Sequence, residues 1–315
     1  MLPTSSGSFP LFRIFGIQVY LHWWWFLFAV VELSVRRNPY SSIGWKVAEY
    51  VAVFVIVLLH EFGHALACRQ TGGKADKIIL WPLGGVAFVQ PPPRPGAELW
   101  SIAAGPLVNV LLIPVILGAM WARTQFQIGD ASVDVRIFLG ALFWINLSLL
   151  IFNMLPVYPL DGGQILRSLL WYGVGRARSL YFATIAGFVG IAVIAAYFIW
   201  SNPNRALFVL LMGGFLASQC LASFRHAQAL LQLEKLPRHA GVKCPECGER
   251  PPGGPIWACG ACGNRFDPFS TQGVCPHCSS VQPTIPCLHC GTASTRERWG
   301  IVRSGGAGSP PVIDV

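Results

Sequence analysis

Five stretches of this chain contain no charged side chain, and each is long enough to cross a lipid bilayer. They occupy residues 14–31, 99–122, 137–160, 179–204 and 206–224, with lengths of 18, 24, 24, 26 and 19 residues. A helix rises about 1.5 Å per residue, so about 20 residues cover the roughly 30 Å of hydrocarbon in a membrane. A sixth run, 50–68, has 19 residues and a single charge, Glu61. Charged residues make up 12% of the chain and hydrophobic ones 53%, where a soluble domain carries about 25% charged residues. The pattern argues against a soluble enzyme and predicts an α-helical polytopic membrane protein with six transmembrane helices.

The distribution of the 23 basic and 14 acidic residues orients the chain. The basic residues lie scattered between the runs and form no basic, aromatic-interleaved stretch, which disfavours a nucleic-acid partner despite a net charge of +9. With a cytosolic N-terminus, the inner segments hold twelve Lys and Arg, from Arg13 to Lys243. The outer loops hold six: Arg36, Arg37, Lys46, Arg123, Arg136 and Arg205. The positive-inside rule then predicts a multi-pass protein of the cell membrane with both termini in the cytosol. The first apolar run is too long for a cleavable signal and shows no small-residue cleavage site.

Composition also sets the boundaries. Residues 1–13 are a short N-terminal lead, 14–224 the six-span membrane domain, 225–242 a helix and linker, 243–299 a cysteine-rich module, and 300–315 a disordered tail. Trp23, Trp24 and Trp25 in the first run suit the membrane interface. Between the second and third spans, Ile78 to Trp81 and Val86 to Val89 are β-prone runs separated by Pro82, Leu83, Gly84 and Gly85, predicting a small re-entrant β-hairpin. Pro91, Pro92, Pro93 and Pro95 then end the sheet. At membrane depth such backbone must be buried in protein or line a wet cavity.

The one charge in the second span has a chemical context. A carboxylate inside a membrane helix is costly, roughly 2.5–3.5 kcal/mol on insertion scales, and needs compensation. Here it belongs to His60-Glu61-Phe62-Gly63-His64, the pattern H-E-x-x-H. Histidines at i and i+4 share one helix face, so both imidazoles reach one zinc ion, and Glu61 beside them can take a proton from water. A catalytic zinc site needs a third protein ligand and one open position. Asp130 and Asp134 fall in a loop expected on the outer side, whereas Asp161 closes a run that ends inside, as the second span does. It follows Pro156 and Pro159, which break the helix, and precedes Gly162 and Gly163, which let the backbone turn. The plain alternative for Asp161 is a helix N-cap.

With these residues in place, the chain resembles a known family. The stretch from His60 through Ala67, Pro82-Leu83-Gly84-Gly85-Val86, Ala104-Gly105-Pro106-Leu107-Val108-Asn109, and Asn153 through Gly163 look like the site-2 protease family of intramembrane zinc metalloproteases. The resemblance runs from about Gly16 to Leu170. It implies that His60, His64 and Asp161 bind a catalytic zinc, that Glu61 is the general base and acid, and that the substrates are transmembrane segments of membrane proteins, cut in regulated intramembrane proteolysis. Asn109 and Asn153 match the family's asparagines and are expected to support the site or steady the substrate backbone; bridging helices or capping a broken one are their ordinary alternatives. His22 also fits the family pattern, with an interfacial histidine as the plainer reading. The hairpin is either a clamp that pairs with an extended substrate or a structural plug.

Eight of the ten cysteines form four C-x-x-C pairs: Cys244/Cys247, Cys259/Cys262, Cys275/Cys278 and Cys287/Cys290. Each pair offers two thiolates, so four pairs make two closed zinc sites. Sequential pairing, the first two knuckles on one ion and the last two on another, resembles a double zinc ribbon; a cross-brace is the alternative. His277 and His289 inside the knuckles are read as bystanders, and Cys68 and Cys220 as packing residues. The cytosolic placement disfavours disulfides. These features together predict an intramembrane zinc endopeptidase, in contact with the lipid bilayer, holding one catalytic and two structural Zn2+. The ribbons are open to a cytosolic regulator, a substrate tail or nucleic acid, and nothing in the sequence selects among them. The rival functions are a non-catalytic metal-binding membrane scaffold, against which intact Glu61 argues, and a metal transporter, which would show a ladder of ligands across the spans.

Overall fold

In the computed structural model, which describes residues 7–35, 40–81, 84–125, 133–301 and 313–314, the first uncharged run takes two backbone forms. Strand β1 (Ser8–Ile14) turns at Phe15 and Gly16, both at positive φ, into strand β2 (Ile17–His22). Only then does helix α1 begin, at Trp24–Val35. Its 12 residues rise about 18 Å, short of a full crossing. The expected first span over 14–31 is therefore corrected to a hairpin arm and a short helix, and residues 8–13 of the expected lead belong to β1. The physical reason lies in β2, where Ile17 and Val19 are fully buried and alternate with partly exposed neighbours, the period of a strand rather than a helix. Absence of charge reports an apolar environment and says nothing about backbone form.

Among the described residues five helices are long and apolar enough to cross a membrane, against the six expected: α2 (Ile43–Gln70), α3 (Pro95–Gln125), α4 (Val133–Asn153), α6 (Arg176–Ser201) and α7 (Ala206–Glu234), the last preceded by a short 3-10 turn. Between α4 and α6 lies the shorter α5 (Asp161–Val174). Strands β3 (Lys74–Trp81) and β4 (Gly84–Gln90) form the expected hairpin, longer than 78–89, while Pro82 and Leu83 fall outside the described residues. The hairpin is half of a four-stranded sheet ordered β1-β2-β3-β4, in which β2 and β3 run parallel from Gln18↔Lys77 to Leu21↔Leu80. Among the described residues β4 pairs only with β3 and leaves an open edge. Ile17, Val19, Ile78 and Leu80 pack on Val57, Ala65 and Cys68 of α2, so the sheet is seated on the helix that carries the histidines. Pro95 is the first residue of α3, where its missing N–H costs nothing.

Helix α2 packs on α3, and α3 packs on both α4 and α5. After Asn153 the chain leaves the helix, as Pro156 and Pro159 dictate, and re-enters one at Asp161. The first turn of α5 presses onto that connecting segment. A Cβ on Gly162 would meet the carbonyl oxygens of Met154 and Leu155, and one on Gly163 the nitrogen of Tyr158. Buried Arg167 of α5 is paired with Glu98 of α3, joining the two helices a short way from Asp161. Helix α7 packs on α6 through Phe224, 5.3 Å from Tyr181 and 6.2 Å from Phe188 between ring centroids.

The chain divides into two units, Met1–Arg225 and His226–Val315. In the second, α7 continues unbroken through the stretch expected as a separate helix and stops before Pro237. The expected linker up to residue 242 is built into the module. Strand β5 (Arg238–His239) carries a fully buried His239, whose Nε2 lies 2.9 Å from Asp267 Oδ2, and Val242 enters the core. Further short hairpin elements follow. Strands β6 (Trp257–Ala258) and β7 (Arg265–Phe266) pair, as do β8 (Thr284–Pro286) and β9 (Ala293–Thr295). Val242, Trp257, Phe269, Ile285 and Trp299 form one core. The indole N–H groups of Trp257 and Trp299 donate to Pro286 O and Ile285 O. Of the tail expected to be disordered, Ile301 packs against this core and Ile313–Asp314 pairs with β5 as strand β10; residues 302–312 and 315 lie outside the described residues.

Candidate metal centres

His60 and His64 stand one turn apart on α2, and α3 supplies a matching row. Ser101, Gly105 and Asn109 recur every four residues, which puts them on one helix face. The row runs antiparallel to the histidines: His64 Nδ1 lies 2.9 Å from Ser101 O, and His60 Nδ1 2.6 Å from Asn109 Oδ1. Gly105 sits between, and any Cβ there would collide with the His64 ring. A main-chain carbonyl can only accept, so Nδ1 of His64 carries the proton and donates it to Ser101 O. The same holds for His60, because Asn109 Nδ2 is engaged elsewhere, leaving Oδ1 to accept from His60. Both Nε2 atoms are then bare lone pairs.

Those lone pairs face each other and a carboxylate. His60 Nε2 and His64 Nε2 are 3.0 Å apart, and Asp161 Oδ2 is 3.1 Å from the first and 3.5 Å from the second. Asp161 Oδ2 is buried and has no hydrogen-bond donor. Three acceptors held together out of water, with no proton among them, are satisfied by a cation. Ligands at about 2.0–2.2 Å from zinc in a tetrahedron stand roughly 3.3–3.6 Å from one another, within a few tenths of an ångström of these separations. The donor set, two neutral imidazoles and one carboxylate, fits a zinc site with an open position.

Glu61 lies beside this set and is only 5% exposed. Its Oε2 accepts a hydrogen bond of 2.8 Å from Ala87 N on β4, and a Cβ on Gly85 would strike its carboxyl group. The Ala87 N–H points away from β3, so it belongs to the open edge of the sheet. Asn153, expected beside the site, ends α4 half-buried and has no hydrogen bond to a ligand among the described residues. His22 is 4% exposed and stacks on Trp81 with ring centroids 3.7 Å apart. Asp134 sits at the far end of α4 and accepts from Ser41 N. Sequence reasoning named Gly105 only within the family-like segment, without a role, and missed Ser101 and the buried Asn146; the four-residue spacing through Asn109 was the available signal for Ser101 and for the role of Gly105.

The cysteines make two further clusters, with an order that differs from the expected one. Cys244 and Cys247 join Cys287 and Cys290, while Cys259 and Cys262 join Cys275 and Cys278. The first knuckle pairs with the fourth and the second with the third, a nested arrangement that corrects sequential pairing. Sulfur separations are 3.8 Å for Cys244–Cys290 and Cys247–Cys287, 3.6 Å for Cys259–Cys278 and 3.7 Å for Cys262–Cys275. A tetrahedron with Zn–S of about 2.3 Å has edges of about 3.8 Å, whereas a disulfide spans about 2.05 Å. Each cluster is the shape of a four-thiolate zinc site. In the inner one, main-chain N–H groups of Cys262 and Ala261 aimed at Cys259 lower its thiol to about 6, favouring the thiolate a metal needs. Neither His277 nor His289 belongs to either cluster.

The nesting has a physical cause. Closing 39 residues between Cys247 and Cys287, rather than 11 between Cys247 and Cys259, adds about 1 kcal/mol of loop entropy. Burying Val242 beside the first knuckle against Ile285 beside the fourth returns about 1.5–3 kcal/mol per side chain. The apolar core decides the pairing.

Comparison with known proteins is consistent with this geometry. The model of peptidase family M50 matches residues 48–128 and 118–197, which contain His60, Glu61, His64 and Asp161 and exclude the cysteine module. A zinc metalloprotease of Methanocaldococcus jannaschii is 38% identical over 182 residues, 57% of this chain and 50% of that protein. A Synechocystis protein that carries a zinc metalloprotease name is 31% identical over 236 residues, 70% of this chain and 61% of its own. The chain thus spans about half to three-fifths of the length of these relatives. The solved site-2 protease of M. jannaschii is 33% identical, with 69% of this chain and 95% of that one covered and a TM-score of 0.49.

Proposed function

The chain belongs to peptidase family M50, and from that membership we propose that it is a zinc metalloprotease that cuts membrane-spanning segments of other proteins within the bilayer. The observation that supports this most is the convergence of His60 Nε2, His64 Nε2 and Asp161 Oδ2, three buried acceptors with no proton among them, beside the carboxylate of Glu61. Bound there, zinc supplies Lewis acidity, which polarises a scissile carbonyl and acidifies the attacking water. Glu61 takes the proton from that water as its oxygen bonds to the carbonyl carbon, then delivers a proton to the amide nitrogen as the C–N bond breaks. The atoms of one water are thereby divided between the new carboxylate and the new amine.

The protein's own backbone holds the substrate. A helical segment hides its amides in i to i−4 hydrogen bonds and must unwind before its carbonyl is accessible. The open edge of β4 offers outward N–H and C=O groups to such an extended stretch, and Ala87 is where that edge touches Glu61. The cysteine clusters hold two structural zinc ions in a module on the cytosolic side, where a protein regulator can reach it. Glu61 argues against a metal-binding scaffold, since a structural ion needs no base buried beside it.

The test is zinc content and cleavage in parallel. Detergent-purified full-length protein carries three zinc ions per chain, and after reconstitution into liposomes it cleaves at least one of a panel of single-span substrates. Glu61→Gln keeps all three ions and loses cleavage. Cleavage by that variant at the wild-type rate refutes the mechanism, and a chain without the third ion refutes the site.

A further inference from the structure

Two asparagines are fully buried in the middle of apolar helices, and only one of them touches a ligand. Asn109 of α3 and Asn146 of α4 are both 0% exposed. An amide in such a place needs partners for both its oxygen and its nitrogen. These two supply each other. Asn109 Nδ2 donates to Asn146 Oδ1 at 2.8 Å, and Asn146 Nδ2 donates to the main-chain oxygen of Asn109 at 2.9 Å. Asn109 Oδ1, freed for the other direction, lies 2.6 Å from His60 Nδ1.

The direction of these bonds is fixed from one end. The Asn109 carbonyl can only accept, so the nitrogen of Asn146 must face it and the oxygen of Asn146 must face Asn109 Nδ2. That in turn aims Asn109 Oδ1 at His60, forces the proton onto His60 Nδ1 and leaves Nε2 bare toward His64 and Asp161. Without Asn146, the Asn109 amide has nothing to hold it against a flip. Flipped, it presents N–H groups to His60, and the proton moves to Nε2, the atom that must ligate. We infer that Asn146 is a positioning residue: through Asn109 it fixes the tautomer of His60 and thereby the affinity of the site for zinc. The inference deepens the proposed function and rests on its metal site.

Loss of an outer hydrogen-bond partner of a ligand typically weakens metal binding by about 10–100-fold. Asn146→Leu, purified at full length, should release the ion of the histidine site to a chelator about 10–100-fold faster than the unmutated protein. The two cysteine-bound ions in the same molecule serve as the internal control and should leave at unchanged rates. Adding Asn109→Asp to Asn146→Leu should restore slow release, because a carboxylate accepts the His60 proton and has no donor to misdirect. A purely packing role for Asn146 predicts no such rescue. In metal-free unmutated protein, nitrogen-15 NMR of histidine should show His60 protonated at Nδ1, a measurement that does not depend on any variant folding.

Unchanged zinc release from Asn146→Leu, absence of rescue in the double variant, or an Nε2-protonated His60 each overturns the inference. If the unmutated chain holds no ion at His60, His64 and Asp161, it is the metal-site assignment that fails.

Discussion

Replacing both Cys287 and Cys290 by serine tests the nested module directly. The structure places their sulfurs 3.8 Å from Cys247 and Cys244, so the substitution strips two of four ligands from the outer ion and none from the inner one. Two thiolates do not hold a structural zinc, and a closed structural zinc site is worth about 10–16 kcal/mol of folding free energy at neutral pH. The loss therefore far exceeds the roughly 1 kcal/mol by which loop closure would favour the shorter pairing. The purified double variant should carry two zinc ions in place of three. Alkylation with N-ethylmaleimide followed by peptide mass spectrometry should label Cys244 and Cys247, while Cys259, Cys262, Cys275 and Cys278 stay protected. Sequential pairing gives the opposite labels, Cys275 and Cys278 with Cys244 and Cys247 protected. That outcome would refute the argument that the core of Val242, Ile285 and Trp299 decides which knuckles meet.

Three other perturbations probe the membrane unit. Gly105→Ala puts a methyl group into the His64 ring and breaks its bond to Ser101 O. A lost hydrogen bond between neutral groups is worth about 0.5–1.5 kcal/mol, so zinc affinity at that site should fall by about 2- to 10-fold in a chelator titration. Ala87→Pro removes the N–H that Glu61 Oε2 accepts, leaving the buried carboxylate without that donor; kcat for a single-span substrate should fall while the zinc count holds at three. Arg167→Met takes from the half-buried Glu98 its ion-pair partner and should lower the thermal midpoint of the unit, with partial recovery in Glu98→Gln/Arg167→Met.

What was legible in the sequence was whatever depends on local spacing. His60, Glu61 and His64 declare themselves because four residues make one helical turn, and Asp161 because two prolines and two glycines bracket it. The β3–β4 hairpin is legible for the same reason. What was not legible depends on partners far away in the chain. β2 looks like part of a span until it is paired in parallel with β3, some 60 residues on. Cys244 looks like a partner for Cys259 until Ile285 is seen beside Val242. Asn146 has no helical-spacing relation to any ligand and acquires a role only when α4 is laid against Asn109.

The α3 row supplies what the histidines of α2 would need to hold an ion. An imidazole ligates well only when its other nitrogen is anchored, and in hydrocarbon the anchor must come from a neighbouring helix at close range. Close range requires small side chains. At Gly63 a Cβ would strike Ala104 O, and at Gly105 one would strike His64, so the two helices meet where neither has bulk. Ser101 and Asn109, one turn to either side, then supply the two anchors. The sequence from Ser101 through Gly105 to Asn109 is thus the complement of His60 and His64. A chance H-E-x-x-H in a membrane helix would lack such a row opposite it, and its histidines would have no reason to present bare nitrogens to the same point.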